Sequence, residues 1–378
     1  MAMFAFTSRT AQRRAAFALV LLLAACRGDR GSASLVSPSF SNIPVPGSHG
    51  CLCAIAADRQ GNIWVANDDR GAVFKLSPAG KLQTVYNASS VGISAVGNRG
   101  TIRRPFGLSI DSAGGLWILE ESSFVIKISA DGKMIGSFYP GGTGPASMEL
   151  DRDDNLWIAN QNDHQGGPGA VGMLNSNGQL IRFIYNTNTP KAQFKSPAGL
   201  AIDENGNVWV ANTDGDSITE LNSEGAAIAR FDNTKLPSVR FNHPHAIDVD
   251  RAGDLIVLNQ DSVMRLSPTG ELLGHFPTTG SSMAIDQLDR LWLTSESGVS
   301  VFRVGGQLIS HFDNDHAPGA SFADPLSVAI ANGSVWTGNI HNWETATISR
   351  IDMSDVGNQF FPYGGLESRS GPQWPKSR

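Results

Sequence analysis

One string recurs along this chain with its internal spacing intact. "ADRQGNIWVAN" (57–67), "LDRDDNLWIAN" (150–160) and "IDENGNVWVAN" (202–212) each carry an Asp, a polar turn and an apolar run around a Trp. Anchoring on the Asp extends the series to Asp58, Asp111, Asp151, Asp203, Asp250 and Asp286, with Ala331 in a seventh, shorter copy. The copies contribute Trp64, Trp117, Trp157, Trp209, Ile256, Trp292 and Trp336, so six of the eight Trp occupy one repeat position. Successive anchors lie 36 to 53 residues apart, the period of propeller blades rather than of shorter solenoid repeats.

Each copy has the same internal grammar. "PAGLAID" reads as a short buried strand, "DENG" as a tight turn, "NVWVAN" as a second strand, "SITELN" as a third, "NSEG" as a turn and "AAIARF" as a fourth strand. Four short antiparallel strands cannot bury both faces alone, so the copies must stack. The pattern predicts an all-β fold, a seven-bladed β-propeller over residues 47–364, with six blades the alternative. The Trp residues are the expected filler between blades. With 41% hydrophobic and 17% charged residues the chain can build such a core. A net charge of −6 and no basic stripe argue against nucleic acid. A monomer is expected.

The first 26 residues read differently. Arg9, Arg13 and Arg14 precede an apolar run, "AAFALVLLLAA" (15–25), that ends at Cys26. The run is too short to span a bilayer comfortably and reads as an export signal. "LLAAC" resembles the lipobox of bacterial lipoproteins, which implies a lipid on Cys26 and a membrane anchor. Arg27, rather than Asp, follows the Cys. That favours the outer membrane, facing the periplasm, in a Gram-negative cell. Residues 27–46 read as a flexible tether and residues 365–378 as a loose tail.

Turn lengths separate the two faces of the ring. The a–b and c–d turns are short, whereas the long segments 87–103, 186–195, 232–242 and 313–323 join blades, and 161–169 joins strands b and c. Both kinds emerge on one face, where function is expected. Small residues dominate the expected channel positions, with Glu149 and Asp248 as the exceptions, able to bind a cation or simply to be hydrated. At the channel mouth blade one offers Cys51 and Cys53, a possible redox pair in an oxidising compartment, where blade five offers His243 and His245. These soft ligands suggest a divalent metal or acid–base work, set against small core cysteines and polar rim histidines. Strand b closes on Asn67, Glu120, Asn160, Asn212, Asn259, Ser295 and Asn339. Repeated Asn fits local backbone bonding, and Glu120 departs from it. His164, His341 and Glu344 also sit on loops of the elaborated face.

The motif D-x-x-G-N-hydrophobic-W-V-A-N, preceded by P-x-G-L-A-I-D, resembles NHL repeats and the streptogramin lyase (virginiamycin B lyase-like) propellers. The resemblance implies a propeller. For the lyases it also implies a His/Glu set with a magnesium ion on the elaborated face, and lactonase propellers of the gluconolactonase type use Asn and Glu on a hard cation. Lyase strands usually end Trp-Phe-Thr-Glu. Here only Glu120 keeps that Glu, and no Glu-x-His triplet occurs. The expectation is therefore a binding or scaffold module for an envelope protein, glycan or small molecule. The alternative is a metal-assisted lyase or hydrolase using His243, His245, His341, Glu120 and Arg104, the last to hold an anionic substrate.

Overall fold

The computed structural model describes residues 38–45, 50–87, 90, 102–234, 240–317, 319–341 and 345–353, the side chains of 340, 341 and 345 excepted. Cys26, with the rest of residues 1–26 read as an export signal, and residues 365–378 lie outside the described residues. Seven four-stranded antiparallel sheets follow one another, and no helix occurs among the described residues. Blades one to six span 52–87, 105–138, 143–185, 197–232, 246–277 and 282–312. The innermost strand of each blade touches that of the next, and the first touches the seventh, so the ring closes at seven.

The core is split into seven wedges between blades. Trp64 packs against Leu116, Ile118 and Ile126 of blade two, and Trp336 of blade seven packs against Ile63, Val65 and Phe74 of blade one. The same relation holds for Trp117, Trp157, Trp209 and Trp292, each fully buried. Ile256 fills the wedge between blades five and six. Because strand b has a blade on either side, Ile63–Asn67 and Leu116–Glu120 are buried at every position.

The anchor Asp explains why the motif has fixed spacing. In blade three, Asp151 Oδ1 accepts the backbone N–H groups of Asp153 and Asn155 at 3.0 and 2.8 Å, closing the a–b turn. Its Oδ2 accepts the Trp157 indole N–H at 3.1 Å. Asp58, Asp203 and Asp286 hold Trp64, Trp209 and Trp292 in the same way at 3.2, 3.2 and 2.9 Å. One carboxylate thus shapes a hairpin and fixes the rotamer of the residue that fills the next wedge. In blade two Lys127 takes the second oxygen of Asp111 at 2.8 Å, and in blade five Arg265 takes that of Asp250 at 2.8 Å.

A cation stands over the indole in several blades: Lys75 over Trp64 at 4.5 Å, Lys127 over Trp117 at 4.4 Å and Arg350 over Trp336 at 5.2 Å. Blade four has Glu220 opposite Trp209 instead. Burial and the neighbouring Asp203 carboxylate push Glu220 up to about 7. Glu220→Lys is expected to stabilise the fold by about 1–2 kcal/mol, by exchanging repulsion for an ion pair and a cation–π contact. A denaturant midpoint at pH 8 that does not rise would refute this.

The tether reading needs a correction at its C-terminal part. Ser39–Pro44 is a strand, paired antiparallel with Thr345–Asp352 from Ser39↔Asp352 to Pro44↔Thr347. It supplies the outermost strand of blade seven, so the two ends of the propeller sequence share one sheet. The physical reason is edge pairing: blade seven draws only three strands from the C-terminal side, and Phe40 and Ile43 pack against the adjoining wedges.

Candidate functional site

Three of the long connections between blades follow a common template. Asn186 accepts the Phe194 N–H at 2.7 Å and donates to its carbonyl at 2.9 Å. Asn233 with Phe241 (2.7 and 3.0 Å) and Asn314 with Phe322 (2.6 and 2.7 Å) repeat this two-point bond. Each Phe is buried, so each loop is pinned to the ring. The Asn-x7-Phe spacing is the signal in the sequence that marks these pins.

The residues closing strand b brace these loops. Asn212 accepts the Lys195 N–H at 3.3 Å and Asn259 accepts the Asn242 N–H at 3.2 Å. Glu120 accepts the Arg103 N–H with both oxygens at 3.1 Å, again 17 residues back. Glu120 therefore breaks the Asn pattern in chemistry but keeps its place in the scaffold. It is 1% exposed, and burial pushes its carboxyl up to about 7 against the pull of the Arg103 and Arg104 backbone N–H groups.

The other predicted residues fall into separate groups. Arg104 pairs with Glu121 and, at 3.3 Å, with Asp68, which places it beside Cys51 and Cys53 at blades one and two. Those two cysteines form a disulfide. His243 and His245 sit at blade five. The His243 N–H donates to Asp216 at 2.9 Å, and the His245 ring lies 3.2 Å from the carbonyls of His243 and Gly280. His341 pairs through its backbone with Thr345 at the end of strand b of blade seven, and its side chain lies outside the described residues. Glu344 also lies outside them. His164 stacks edge-on against Phe183 and Tyr185, with ring centroids 5.2 Å from each.

Glu149, on the innermost strand of blade three, feels the charge of Asp248 on the innermost strand of blade five. Glu149 is open to solvent although protein surrounds its side chain on the inner edge of the blade. Enclosure, then Asp248, push Glu149 up to about 7. Enclosure pushes Asp248 to about 6 against backbone bonds from Val249 and Ile285. A divalent cation suits such a pair. Among the described residues only Cys51, Cys53 and Asp68 form a group of three with ligand atoms within 4.8 Å of one another. Neither the channel carboxylates nor the blade-five histidines gather a third ligand at that range.

The sequence did not disclose a cavity of about 590 Å³ on the elaborated face between blades four and five. Its wall includes Asp216, Arg240, Asn242, Asp261 and His275. Asn242 donates to Asp261 at 2.8 Å, which orients that carboxylate. His275 Nδ1 is buried and has no hydrogen-bond partner among the described residues. Arg240 is exposed and makes no ion pair among the described residues. The wall thus offers both signs of charge and unspent donors, which suits a polar ligand with hydroxyl or amide groups.

No protein-family model matches the sequence, and no curated protein sequence matches it. Solved structures do match in fold. A streptogramin B lyase structure superposes with a TM-score of 0.66 at 15% identity, covering 85% of this chain and 100% of that one. A catalytically inactive variant of virginiamycin B lyase from Staphylococcus aureus, with quinupristin, gives 0.65 at 15% identity over 84% of this chain and 99% of that one. An extracellular domain assigned to a one-component system of B. thetaiotaomicron gives 0.61 at 13% identity over 82% of this chain, spanning 39% of that chain. At these identities the likeness establishes the architecture: this chain is a seven-bladed β-propeller similar in fold to the streptogramin B lyases.

Proposed function

We propose that this chain is an exported, lipid-anchored binding module that holds a glycan or small polar ligand of the cell envelope in the cavity between blades four and five. The observation that carries the reading is the cavity itself, with Arg240, Asp216 and Asp261 around one opening. Export is supported by the charged–apolar–Cys26 order of the N-terminus and by the Cys51–Cys53 disulfide, which suits an oxidising compartment. A thermal-shift screen of envelope oligosaccharides, amino acids and short peptides tests it. At least one class is expected to raise the melting temperature, with affinity falling roughly tenfold in Arg240→Ala, the loss of one charge-assisted bond. A ligand whose binding ignores Arg240→Ala would place the site elsewhere.

A metal-assisted lyase or hydrolase is the second reading, favoured by the shared fold and by two histidines on the elaborated face. Elemental analysis of the as-isolated chain separates the two. About one metal per chain, lost in His243→Ala/His245→Ala together with turnover of a lactone or ester, would replace the binding reading.

A further inference from the structure

The start of blade one holds a cluster that the ligand cavity does not use. Cys51 and Cys53 are joined across a single residue, with Cα atoms 5.1 Å apart. A regular strand would hold such residues about 6.6 Å apart. The register shift between Leu52 and Ala54 shortens the gap. Asp68 stands beside the pair. Its Oδ1 accepts the Cys51 N–H at 3.1 Å, and a carboxylate oxygen lies within 4.8 Å of both sulfurs. Its Oδ2 is held at 3.3 Å by Arg104. Cys51 is 5% exposed, whereas Cys53 is only half-buried, so an incoming thiolate meets the Cys53 sulfur first.

We infer that the reduced form of this cluster is a metal site, in which the Cys51 and Cys53 thiolates and the Asp68 carboxylate hold a zinc-type divalent cation and the disulfide gates its binding. Opening the bond takes two electrons from an envelope dithiol. Its thiolate bonds to Cys53 Sγ, the S–S bond breaks, and Cys51 leaves as a thiolate. The donor's second thiol then resolves the mixed disulfide, so the donor departs as a disulfide and its two protons end on the two cysteines. The cation displaces both protons as it binds. Two sulfurs on tetrahedral zinc stand about 3.8 Å apart at a Zn–S distance of about 2.3 Å. Side chains already close enough to bond reach that separation by small χ rotations. Charge favours the assembly: two thiolates and Asp68 oppose a divalent cation and Arg104. Water would take the fourth position.

The test uses the chain from Ser32 onward, which keeps the closing strand and the whole ring and leaves Cys51 and Cys53 as its cysteines. The protein is reduced with excess dithiothreitol, desalted without oxygen and given zinc, and bound metal is counted after gel filtration. Cobalt substitution reads thiolate ligation as a charge-transfer band. About one zinc per reduced chain is expected, with none on the disulfide form and none after alkylation of both thiols. Asp68→Asn should weaken binding roughly tenfold or more. Failure of the reduced chain to take up zinc, or equal uptake by the disulfide form, overturns the site. Full affinity in Asp68→Asn removes the carboxylate from it and overturns the three-ligand assignment.

Discussion

Asp151→Ala is expected to lower the unfolding free energy by about 2–4 kcal/mol, read as a lower urea midpoint at unchanged slope. The alanine would release two turn N–H groups and the Asn155 side chain, and would leave the Trp157 indole N–H without an acceptor. The indole is the costly part, because Trp157 is fully buried and water cannot replace the carboxylate there. The fold should survive. Blade seven already has Ala331 at this position, and Trp336 Nε1 has no partner among the described residues. In a Trp157→Phe background the same substitution should cost about 1–2 kcal/mol less, since the buried donor is gone. Strict additivity of the two changes would show that the carboxylate serves the turn alone.

That short-range economy is why the architecture was legible. Asp151 bonds residues two, four and six positions on, so the demand is written locally, and Asp58, Asp203 and Asp286 repeat it in blades one, four and six. The closing strand had no such signature. Ser39–Pro44 lies in a Ser- and Pro-rich stretch, and its partner is some 300 residues away, so nothing nearby marks it as paired. The candidate site was less legible still. Glu120 read as an exception to the Asn series because its chemistry differs, yet what it holds is a backbone N–H 17 residues back, as Asn212 and Asn259 do. The cavity between blades four and five depends on how Arg240, Asp216 and Asp261 meet across three separate loops.

Between pH 5 and 8 the propeller is expected to lose stability as the pH rises. Glu120 keeps its proton to about pH 7 in the folded chain but releases it near 4.5 when unfolded. The folded state therefore binds more protons in this window. Stability is full below the unfolded value and falls as the pH passes through the folded one. For a group this deeply buried the shift amounts to about 3 kcal/mol. Glu120→Gln keeps an acceptor for the Arg103 N–H and removes the charge. The variant should match the wild type near pH 5 and exceed it by about 1–3 kcal/mol at pH 8. Glu149, Asp248 and Glu220 are raised as well, so some slope should remain. Parallel stability curves for the two proteins would assign the pH dependence to those other carboxylates.

The shared sheet of blade seven imposes an order on folding. Ser39–Pro44 is the first strand of the ring to leave the ribosome, and its partner, Thr345–Asp352, is the last. Six blades can form while the first strand has no mate, but the ring cannot lock until Thr345–Asp352 is available. A prematurely ended chain would keep two open sheet edges, one at each side of the gap, and such edges invite pairing between molecules. The clasp therefore makes completeness of the polypeptide a condition for a sealed, non-aggregating product.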